Sequence, residues 1–283
     1  MKISKPQMSV EALQKYFESH DCLEVKNSKK SLKHASAALW YLDQGKIRAC
    51  VNTGNRWVVN TWVKRAVIMF FQLGKSHPMS AGSFEYFDKL PVKKRSALKK
   101  VRVVPGAIAR FGSFIEEGSI LMPSFVNVGA YVGAGSMIDT WATIGSCAQI
   151  GKNVHIAGGA GVGGVLEPEQ AHPVIIEDGA FLGSRCIVVE GVRVGKQAVL
   201  GAGVVLTGST KIVDVRDKEV KVTNGHIPDS AIVVPGTYPK TYSNLVGEQT
   251  FGAPCAMIIG TRKESTTLKT SLNQALRDYD VAV

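Results

Sequence analysis

The middle of this chain carries a large, mostly aliphatic residue at every sixth position. The series has ten members, then a break, then seven more: Ile108, Phe114, Ile120, Val126, Val132, Ile138, Ile144, Ile150, Ile156, Val162, Ile176, Leu182, Val188, Val194, Leu200, Leu206 and Ile212. An α-helical stripe recurs every three or four residues, so this period excludes an amphipathic helix. A fixed period of six is typical of a solenoid, in which each repeat supplies one short strand and one turn.

The hexads predict a three-sided parallel β-helix over residues 103–212. Three hexads close one coil, the large side chain points inward, and successive coils lie about 4.8 Å apart. The place after the large residue is often glycine, which we expect to accept turn dihedrals that a Cβ resists. The period alone does not determine the hand of the helix.

The regions on either side of the repeat predict other kinds of structure. Residues 1–102 predict an α-rich domain with a small hairpin, and residues 213–283 predict a cap of strands and a terminal helix over 266–280.

The break in the repeat, residues 163–175, has eight extra residues and two prolines. Such an excursion is predicted to leave the prism as a loop that shapes a binding site or embraces another subunit.

Composition narrows the class of partner. The net charge of +11 is compatible with nucleic acid, anionic lipid or a small anionic ligand. No basic strand interleaved with aromatic residues supports nucleic-acid binding, and no run of 18 apolar residues supports a membrane span. The five cysteines show neither metal-ligand spacing nor a paired framework, which fits a reducing cytoplasm. A phosphorylated cosubstrate and a dicarboxylate would suit the positive charge.

Several runs give the chain a resemblance to a known family. The most specific is DTWATIGSCAQIG, which begins at Asp139, and the others are Tyr86–Lys89, Arg102–Pro105, Leu121–Ser124 and Gly163–Pro168. Together they resemble the tetrahydrodipicolinate N-succinyltransferases of the hexapeptide-repeat acyltransferase superfamily. The resemblance implies a left-handed β-helix and a homotrimer without a metal or a permanently bound cofactor. It also implies transfer of succinyl from succinyl-CoA to the amine of ring-opened L-2-amino-6-oxopimelate, in diaminopimelate and lysine biosynthesis.

The same resemblance assigns site residues. It implies that Asp139 binds the substrate and serves as base or orienter of the amine, and that Arg110 binds a carboxylate. From its position in a run of aliphatic residues, and not from the resemblance, Glu190 is a second catalytic candidate approaching Asp139 of an adjacent chain. Arg185 is a candidate either for holding the second carboxylate or for neutralising Glu190. From position alone, Asp139 is equally an Asx-type turn residue and Arg110 a surface charge.

His155 is a rival for the base, because imidazole titrates closer to neutral pH than a carboxylate does. For the cosubstrate, the glycine-rich turn at Gly158, Gly159 and Ala160 favours a pantetheine arm lying against backbone, although these are equally simple turn glycines. Cations for the phosphates are expected near the closing end of the prism, at Lys211, Arg262 and Lys263.

Three alternatives stay open from the sequence. One is another CoA-dependent N-acyltransferase on the same prism, such as an acetyltransferase. A zinc enzyme would need three converging histidines, whereas only His155 and His172 lie in or beside the prism. The last is a non-catalytic binding or assembly protein.

Overall fold

The computed structural model describes residues 3–19, 29–54, 56–243 and 247–262. The predicted terminal helix over 266–280 and Lys263 lie outside the described residues. Within these described residues the N-terminal region contains three helices, α1 (Val10–Glu18), α2 (Lys29–Asp43) and α3 (Thr61–Leu73), in agreement with its predicted α-rich character. Ser9 caps α1, since its Oγ accepts a hydrogen bond from the backbone N–H of Ala12 at 3.2 Å.

Two hairpins accompany the helices. Cys50–Asn52 pairs with Trp57–Val59, and His77–Ala81 pairs with Phe84–Asp88, both antiparallel. A short 3₁₀ helix, Arg95–Ala97, leads into the solenoid. Helix α3 is buried on nearly all sides, between α1, α2 and the prism, which explains its mainly apolar sequence.

Residues 102–227 form the predicted three-sided solenoid of two-residue parallel strands. Face 1 consists of Arg102–Val103, Ile120–Leu121, Met137–Ile138, His155–Ile156, Phe181–Leu182 and Val199–Leu200. Face 2 consists of Ile108–Ala109, Phe125–Val126, Thr143–Ile144, Gly161–Val162, Ile187–Val188 and Val205–Leu206. Face 3 consists of Phe114–Ile115, Tyr131–Val132, Gln149–Ile150, Ile175–Ile176, Arg193–Val194 and His226–Ile227. The turns that follow faces 1, 2 and 3 are called edges 1, 2 and 3.

The inward side chains form one continuous apolar column. Ile138, Ile144, Ile150 and Ile156 are fully buried within it, and each such residue contributes about 1.5–3 kcal/mol through burial. The register of the first three hexads differs from the predicted one. There the inward residues are Ala109, Ile115 and Leu121, whereas Ile108, Phe114 and Ile120 face outward.

A short repeat explains the difference in register. Val132 pairs with Ile150, 18 residues further along the chain, but Ala109 pairs with Val126, only 17 residues further. The missing residue lies in the turn after Leu121, which contains Pro123. Removing one residue from a strand–turn repeat exchanges the inward and outward positions of everything before it.

The glycines that follow the inward residues serve a different purpose from the predicted one. Gly133 and Gly145 do not adopt positive φ. A Cβ at Gly133 would lie 2.5 Å from the carbonyl oxygen of Gly151, and one at Gly145 would lie 2.1 Å from the amide nitrogen of Gly164. Glycine is therefore required here because successive coils approach too closely for a side chain.

The C-terminal region extends face 1 into a larger sheet. Ile212–Asp214 pairs with Lys221–Thr223 in an antiparallel hairpin, and also runs parallel to Gln249–Thr261. Ala231–Tyr242 and Gln249–Thr261 form a long antiparallel hairpin, so the cap contains strands, as predicted. These strands close the C-terminal end of the apolar column.

The break in the hexads packs onto the chain's own helical domain. Its carbonyls at Pro168 and Ala171 accept hydrogen bonds from the Lys64 ammonium, at 3.1 and 2.8 Å, and Glu169 forms an ion pair with Arg65. Burial lowers the pKa of Lys64, with Cys147, Cys50 and Glu169 opposing that effect. The loop over 163–175 is thus held against α3.

Candidate active site

Edge 1 brings two candidate bases together. Asp139 follows Ile138 at this edge, and His155 stands opposite Met137 on the next coil of face 1. The distance between Asp139 Oδ2 and His155 Nε2 is 3.7 Å, and both side chains are partly exposed. The imidazole also stacks on Phe181 at 5.1 Å between ring centroids, which fixes its plane. From the sequence, Asp139 and His155 are alternative candidates for the general base, whereas the fold places the two side chains next to each other.

The other carboxylate oxygen of Asp139 is held by the turn. Oδ1 accepts a hydrogen bond from the Thr140 amide at 2.7 Å, with the Thr140 hydroxyl at 3.3 Å. An Asx turn would instead use the backbone amide two residues on, so the Asx-type turn expected from position alone is not what Asp139 forms. The bonds to Thr140 leave Oδ2 directed towards His155.

Trp141, Gly159 and Arg185 are among the residues at equivalent turn positions along edge 1. These three have φ near +60°, a region that non-glycine residues adopt at a cost of about 1 kcal/mol or more. Trp141 is 77% exposed, although it is the largest side chain at this edge. Trp141 belongs to the DTWATIGSCAQIG run that begins at Asp139, and that run alone does not predict an exposed indole.

Arg185 lies along the glycine-rich turn. A Cβ at Gly159 would come within 2.9 Å of Arg185 Cδ and Nε, so glycine leaves room for this side chain. Gly158 accepts the Arg185 amide hydrogen bond at 3.1 Å. The predicted cosubstrate turn at Gly158, Gly159 and Ala160 is therefore on the same edge as Asp139, with a guanidinium beside it.

Arg110, Glu190 and Lys211 lie on edge 2. The Arg110 guanidinium forms an ion pair with Asp88 at 2.5 Å and donates to Asn127 Oδ1 at 3.0 Å. Glu190 has φ of +55°, and its Oε2 accepts from the Gly208 amide at 3.0 Å. Within one chain, Arg110 and Asp139 are thus on different edges of the prism.

Lys211 and Arg262, two of the three cations predicted for the phosphates, also lie apart. The Lys211 ammonium is over the Tyr238 ring, 4.1 Å from its centroid. Arg262 lies against edge 3, where Nη1 donates to the carbonyls of Gly179 at 2.9 Å and Gln197 at 3.3 Å. Burial lowers the pKa of the Arg262 guanidinium. These positions do not form one cluster in a single chain.

Face 2 connects the two edges that carry these residues. Its outward side chains at Ile187 and Val205 are 37% and 48% exposed, next to the small Thr143 and Gly161. The helical domain covers face 3 instead, through contacts such as those of Arg48 with Tyr131 and Gln149. Face 2 is therefore an exposed, largely apolar surface with candidate residues along both sides.

Neither a metal centre nor a membrane helix is found in the part of the chain described. No group of three or more His, Cys, Asp or Glu side chains there is arranged to hold a metal ion. None of the described helices has the length and apolar character needed to cross a membrane.

Comparison with known proteins agrees with this architecture. Residues 10–73 match the tetrahydrodipicolinate N-succinyltransferase N-terminal family model, and residues 173–208 match the hexapeptide repeat of succinyl-transferase. A 2,3,4,5-tetrahydropyridine-2,6-dicarboxylate N-succinyltransferase of Ralstonia nicotianae is 52% identical over 243 residues, covering 83% of this chain and 86% of that protein.

This chain belongs to the 2,3,4,5-tetrahydropyridine-2,6-dicarboxylate N-succinyltransferase family. The family member of Cupriavidus metallidurans is 47% identical over 270 residues, covering 93% of this chain and 96% of its own. This N-succinyltransferase family assignment confirms the resemblance noted in the sequence and makes the protein an acyltransferase.

A solved structure shares the fold of this N-succinyltransferase family member. A Campylobacter jejuni protein named as a 2,3,4,5-tetrahydropyridine-2-carboxylate N-succinyltransferase aligns with a TM-score of 0.52 at 17% identity, covering 90% of this chain and 64% of that one. The prediction of a left-handed parallel β-helix with N-terminal helices is confirmed.

Proposed function

We propose that this protein transfers the succinyl group of succinyl-CoA to the amine of ring-opened tetrahydrodipicolinate, L-2-amino-6-oxopimelate, in the cytoplasm. The names of its relatives support the acceptor, and the pairing of Asp139 with His155 at edge 1 carries the chemistry. In the reaction, the amine nitrogen forms an amide bond to the thioester carbonyl carbon and the carbon–sulfur bond breaks. The nitrogen loses a proton and the CoA sulfur leaves as the thiol.

The Asp139–His155 pair is the proton acceptor in this proposal. An ammonium is not a nucleophile, so a group within hydrogen-bonding reach must take its proton. Oδ1 of Asp139 is held by Thr140, which leaves Oδ2 and the imidazole facing each other and partly open to solvent. Because Oδ2 and Nε2 lie 3.7 Å apart on the same accessible surface, either group is placed to take the proton with the other beside it.

A homotrimer would complete the site. In a three-fold ring each subunit contacts the next through a heterologous interface, so different surfaces of the two subunits meet. Packing face 2 against a neighbour would bury Ile187 and Val205 and bring edge 1 of one subunit towards edge 2 of the next. That arrangement unites Asp139 with Glu190 and Arg110 of the adjacent chain, which one chain alone keeps apart.

The cosubstrate would lie along edge 1. The turn at Gly158–Ala160 leaves backbone accessible to a pantetheine arm, and Trp141 offers an apolar wall. Lys211 from the neighbouring edge 2 would supply positive charge for the phosphates. Arg262 lies on edge 3 with carbonyl partners, so it is not included in the proposed cosubstrate site.

The acceptor has two carboxylates, for which two guanidiniums are available. Arg185 lies on edge 1 close to Gly159, and Arg110 lies on edge 2 with three of its five N–H donors beyond its bonds to Asp88 and Asn127. A planar guanidinium binds a carboxylate through two parallel hydrogen bonds. Arg185 and the neighbouring Arg110 are therefore the proposed carboxylate ligands.

Thiol release from succinyl-CoA and from acetyl-CoA, each with the amino-oxopimelate acceptor, tests the proposal. We expect succinyl-CoA to be strongly preferred, and Asp139→Asn and Arg110→Ala to lower kcat/KM. Asp217→Asn, at an exposed ion pair on the cap, is the matched control. Preference for acetyl-CoA would establish a different acyltransferase. Full activity in both site variants would refute the site, and no transfer to any amino-pimelate would favour a binding protein.

A further inference from the structure

A second pocket lies on edge 3, remote from the residues proposed for acyl transfer. It is enclosed by the hairpin of Cys50–Asn52 with Trp57–Val59 on one side and by face 3 on the other, with a volume of about 240 Å³. Drug-sized sites measure roughly 300–1,000 Å³, so this pocket suits a smaller molecule. Its polar and aromatic lining includes Arg48, Trp57, Tyr131, Lys152, Glu177 and Lys196.

The repeat itself is altered at this pocket. The position after the inward residue of face 3 is glycine at Gly133, Gly151 and Gly195, where adjacent coils approach closely. The same position is glutamate at Glu116 and Glu177. Gly133 and Gly151 thus form the floor of the pocket, between the carboxylates of Glu116 and Glu177, which replace glycine at the equivalent position.

Glu177 has one oxygen without a partner. The residue is 3% exposed, and its Oε1 accepts hydrogen bonds from Trp57 Nε1 at 2.6 Å and Arg193 Nε at 3.1 Å. Its Oε2 is buried and has no hydrogen-bond donor among the described residues. Buried carboxylate oxygens are normally satisfied, because an unpaired one loses its hydration without compensation. A donor from outside the chain would fill this deficit.

Positively charged side chains also line the pocket. The Lys152 and Lys196 side chains line it, and neither ammonium makes a hydrogen bond or ion pair within the described part of the chain. By contrast, Glu116 is already engaged by the Tyr131 hydroxyl and the Ala134 amide, and Asp178 Oδ1 accepts from the Lys152 amide. Among the described residues, the groups of the pocket without a hydrogen-bond partner therefore include Glu177 Oε2, Asp178 Oδ2, the two ammonium groups and the Nη1 and Nη2 groups of Arg48, and of these only Glu177 Oε2 is a buried atom.

We infer that this pocket binds a small zwitterion of the α-amino acid class, with its ammonium on Glu177 Oε2 and its carboxylate between Lys152 and Lys196. The space between the ammonium and carboxylate positions is bounded by the Trp57 indole and the Arg48 guanidinium. The guanidinium stacks on the Tyr131 ring, 3.5 Å from its centroid. The inference does not rest on the proposed acyl transfer. Because the hairpin of the helical domain forms one wall, an occupant would tie that domain to the prism.

Thermal-shift and calorimetric titrations of the full-length protein test the inference. The probes are L-alanine, L-lysine and L-glutamate, with methylammonium and acetate as half-ligands. We expect at least one amino acid to bind, and to bind more tightly than either half-ligand. Glu177→Gln keeps an acceptor for Trp57 and Arg193 but removes the charge, and it should weaken binding by about 10- to 100-fold.

Further variants separate a ligand site from a structural group. The double variant Lys152→Met, Lys196→Met should also weaken binding, whereas Glu219→Gln and Lys218→Met on the cap should not. Asp139→Asn should bind the probe as the wild type does, since edge 1 is separate. The inference is overturned if no amino acid binds at millimolar concentration, if Glu177→Gln binds as tightly as the wild type, or if Asp139→Asn abolishes binding.

Discussion

Asp139 and His155 face each other across adjacent coils of edge 1, with 3.7 Å between Oδ2 and Nε2. The contact follows from the repeat, since His155 stands opposite Met137 and Asp139 comes two residues later. Neither side chain is drawn into the apolar column, and both stay accessible to a substrate lying along the edge. This contact turns two competing sequence hypotheses into one candidate proton acceptor.

If the pair works as one unit, its two members should not have additive effects. We expect Asp139→Asn and His155→Gln each to lower kcat/KM by about 10²–10⁴-fold, the usual contribution of a general base. The double variant should lose little more than the more impaired single variant. Steady-state kinetics measured at several pH values between 6 and 9 provide the test. This range is used because an imidazole ordinarily titrates near its lower end. Additive losses would show independent roles.

A buried ion pair joins the helical domain to the prism. The Lys93 ammonium donates to Asp43 Oδ1 at 2.6 Å and to the Ser113 carbonyl at 2.9 Å, and both charged side chains are buried. Asp43→Leu strands the ammonium, so we expect a loss of about 3–5 kcal/mol in the free energy of unfolding. The double variant Asp43→Leu, Lys93→Met should recover part of it, as measured by urea denaturation. A double variant less stable than Asp43→Leu would contradict this explanation.

The exposed part of face 2 should control assembly. Ile187→Lys with Val205→Lys places two charges on the surface proposed to contact a neighbour, and burying unpaired charges is strongly unfavourable. We expect the double variant to sediment as a monomer and to lose transferase activity. Val220→Lys, at another exposed valine on the cap hairpin, should sediment like the wild type. A double variant with wild-type sedimentation would exclude face 2 as the contact.

Buried thiols should make the stability fall at alkaline pH. Burial raises the pKa of Cys147 to about 12, with Lys64 opposing the shift, against an ordinary value of 9.0. Above pH 9 the unfolded chain releases this proton while the folded chain retains it, so the free energy of unfolding decreases as pH rises from 9 towards 12.

The comparison of Cys147→Ala with the wild type isolates that contribution. Above pH 9 the wild type should lose up to about 1.4 kcal/mol per pH unit more than the variant, corresponding to one proton. Urea denaturation at pH 8, 9 and 10 measures the difference, and other titrating groups cancel between the two proteins. Parallel pH dependences would show that Cys147 ionises in the folded state.

Much of the fold could be predicted because local signals and the repeat agree. The helices of the N-terminal region agree with the α-rich character predicted for residues 1–102, and the parallel faces follow from the hexads. The register before Leu121 could not be read from the pattern. In Ile108-Ala109, Phe114-Ile115 and Ile120-Leu121 both residues are apolar, so either can face inward. The pairings of Ala109 with Val126, Ile115 with Val132 and Leu121 with Ile138, each 17 residues apart, decide between them.

The candidate site was predicted less completely than the fold. The closeness of Asp139 and His155 could have been predicted from the 18-residue coil, because residue 155 is one coil beyond residue 137. The exposure of Trp141 could not be foreseen, because a large aromatic residue in a repeat is ordinarily buried. Glu177 broke the glycine pattern visibly, but its unpartnered oxygen depends on the contacts with Trp57 and Arg193.

The loop over 163–175 limits how this protein can be recombined with its relatives. Lys64 is fully buried, and its ammonium donates to carbonyls that are within reach only because the loop leaves the prism. A chimera that takes its solenoid from a protein with an uninterrupted repeat would leave that ammonium buried without acceptors. Helix α3 and the loop must therefore be exchanged as one cassette, and substitutions in either are expected to covary.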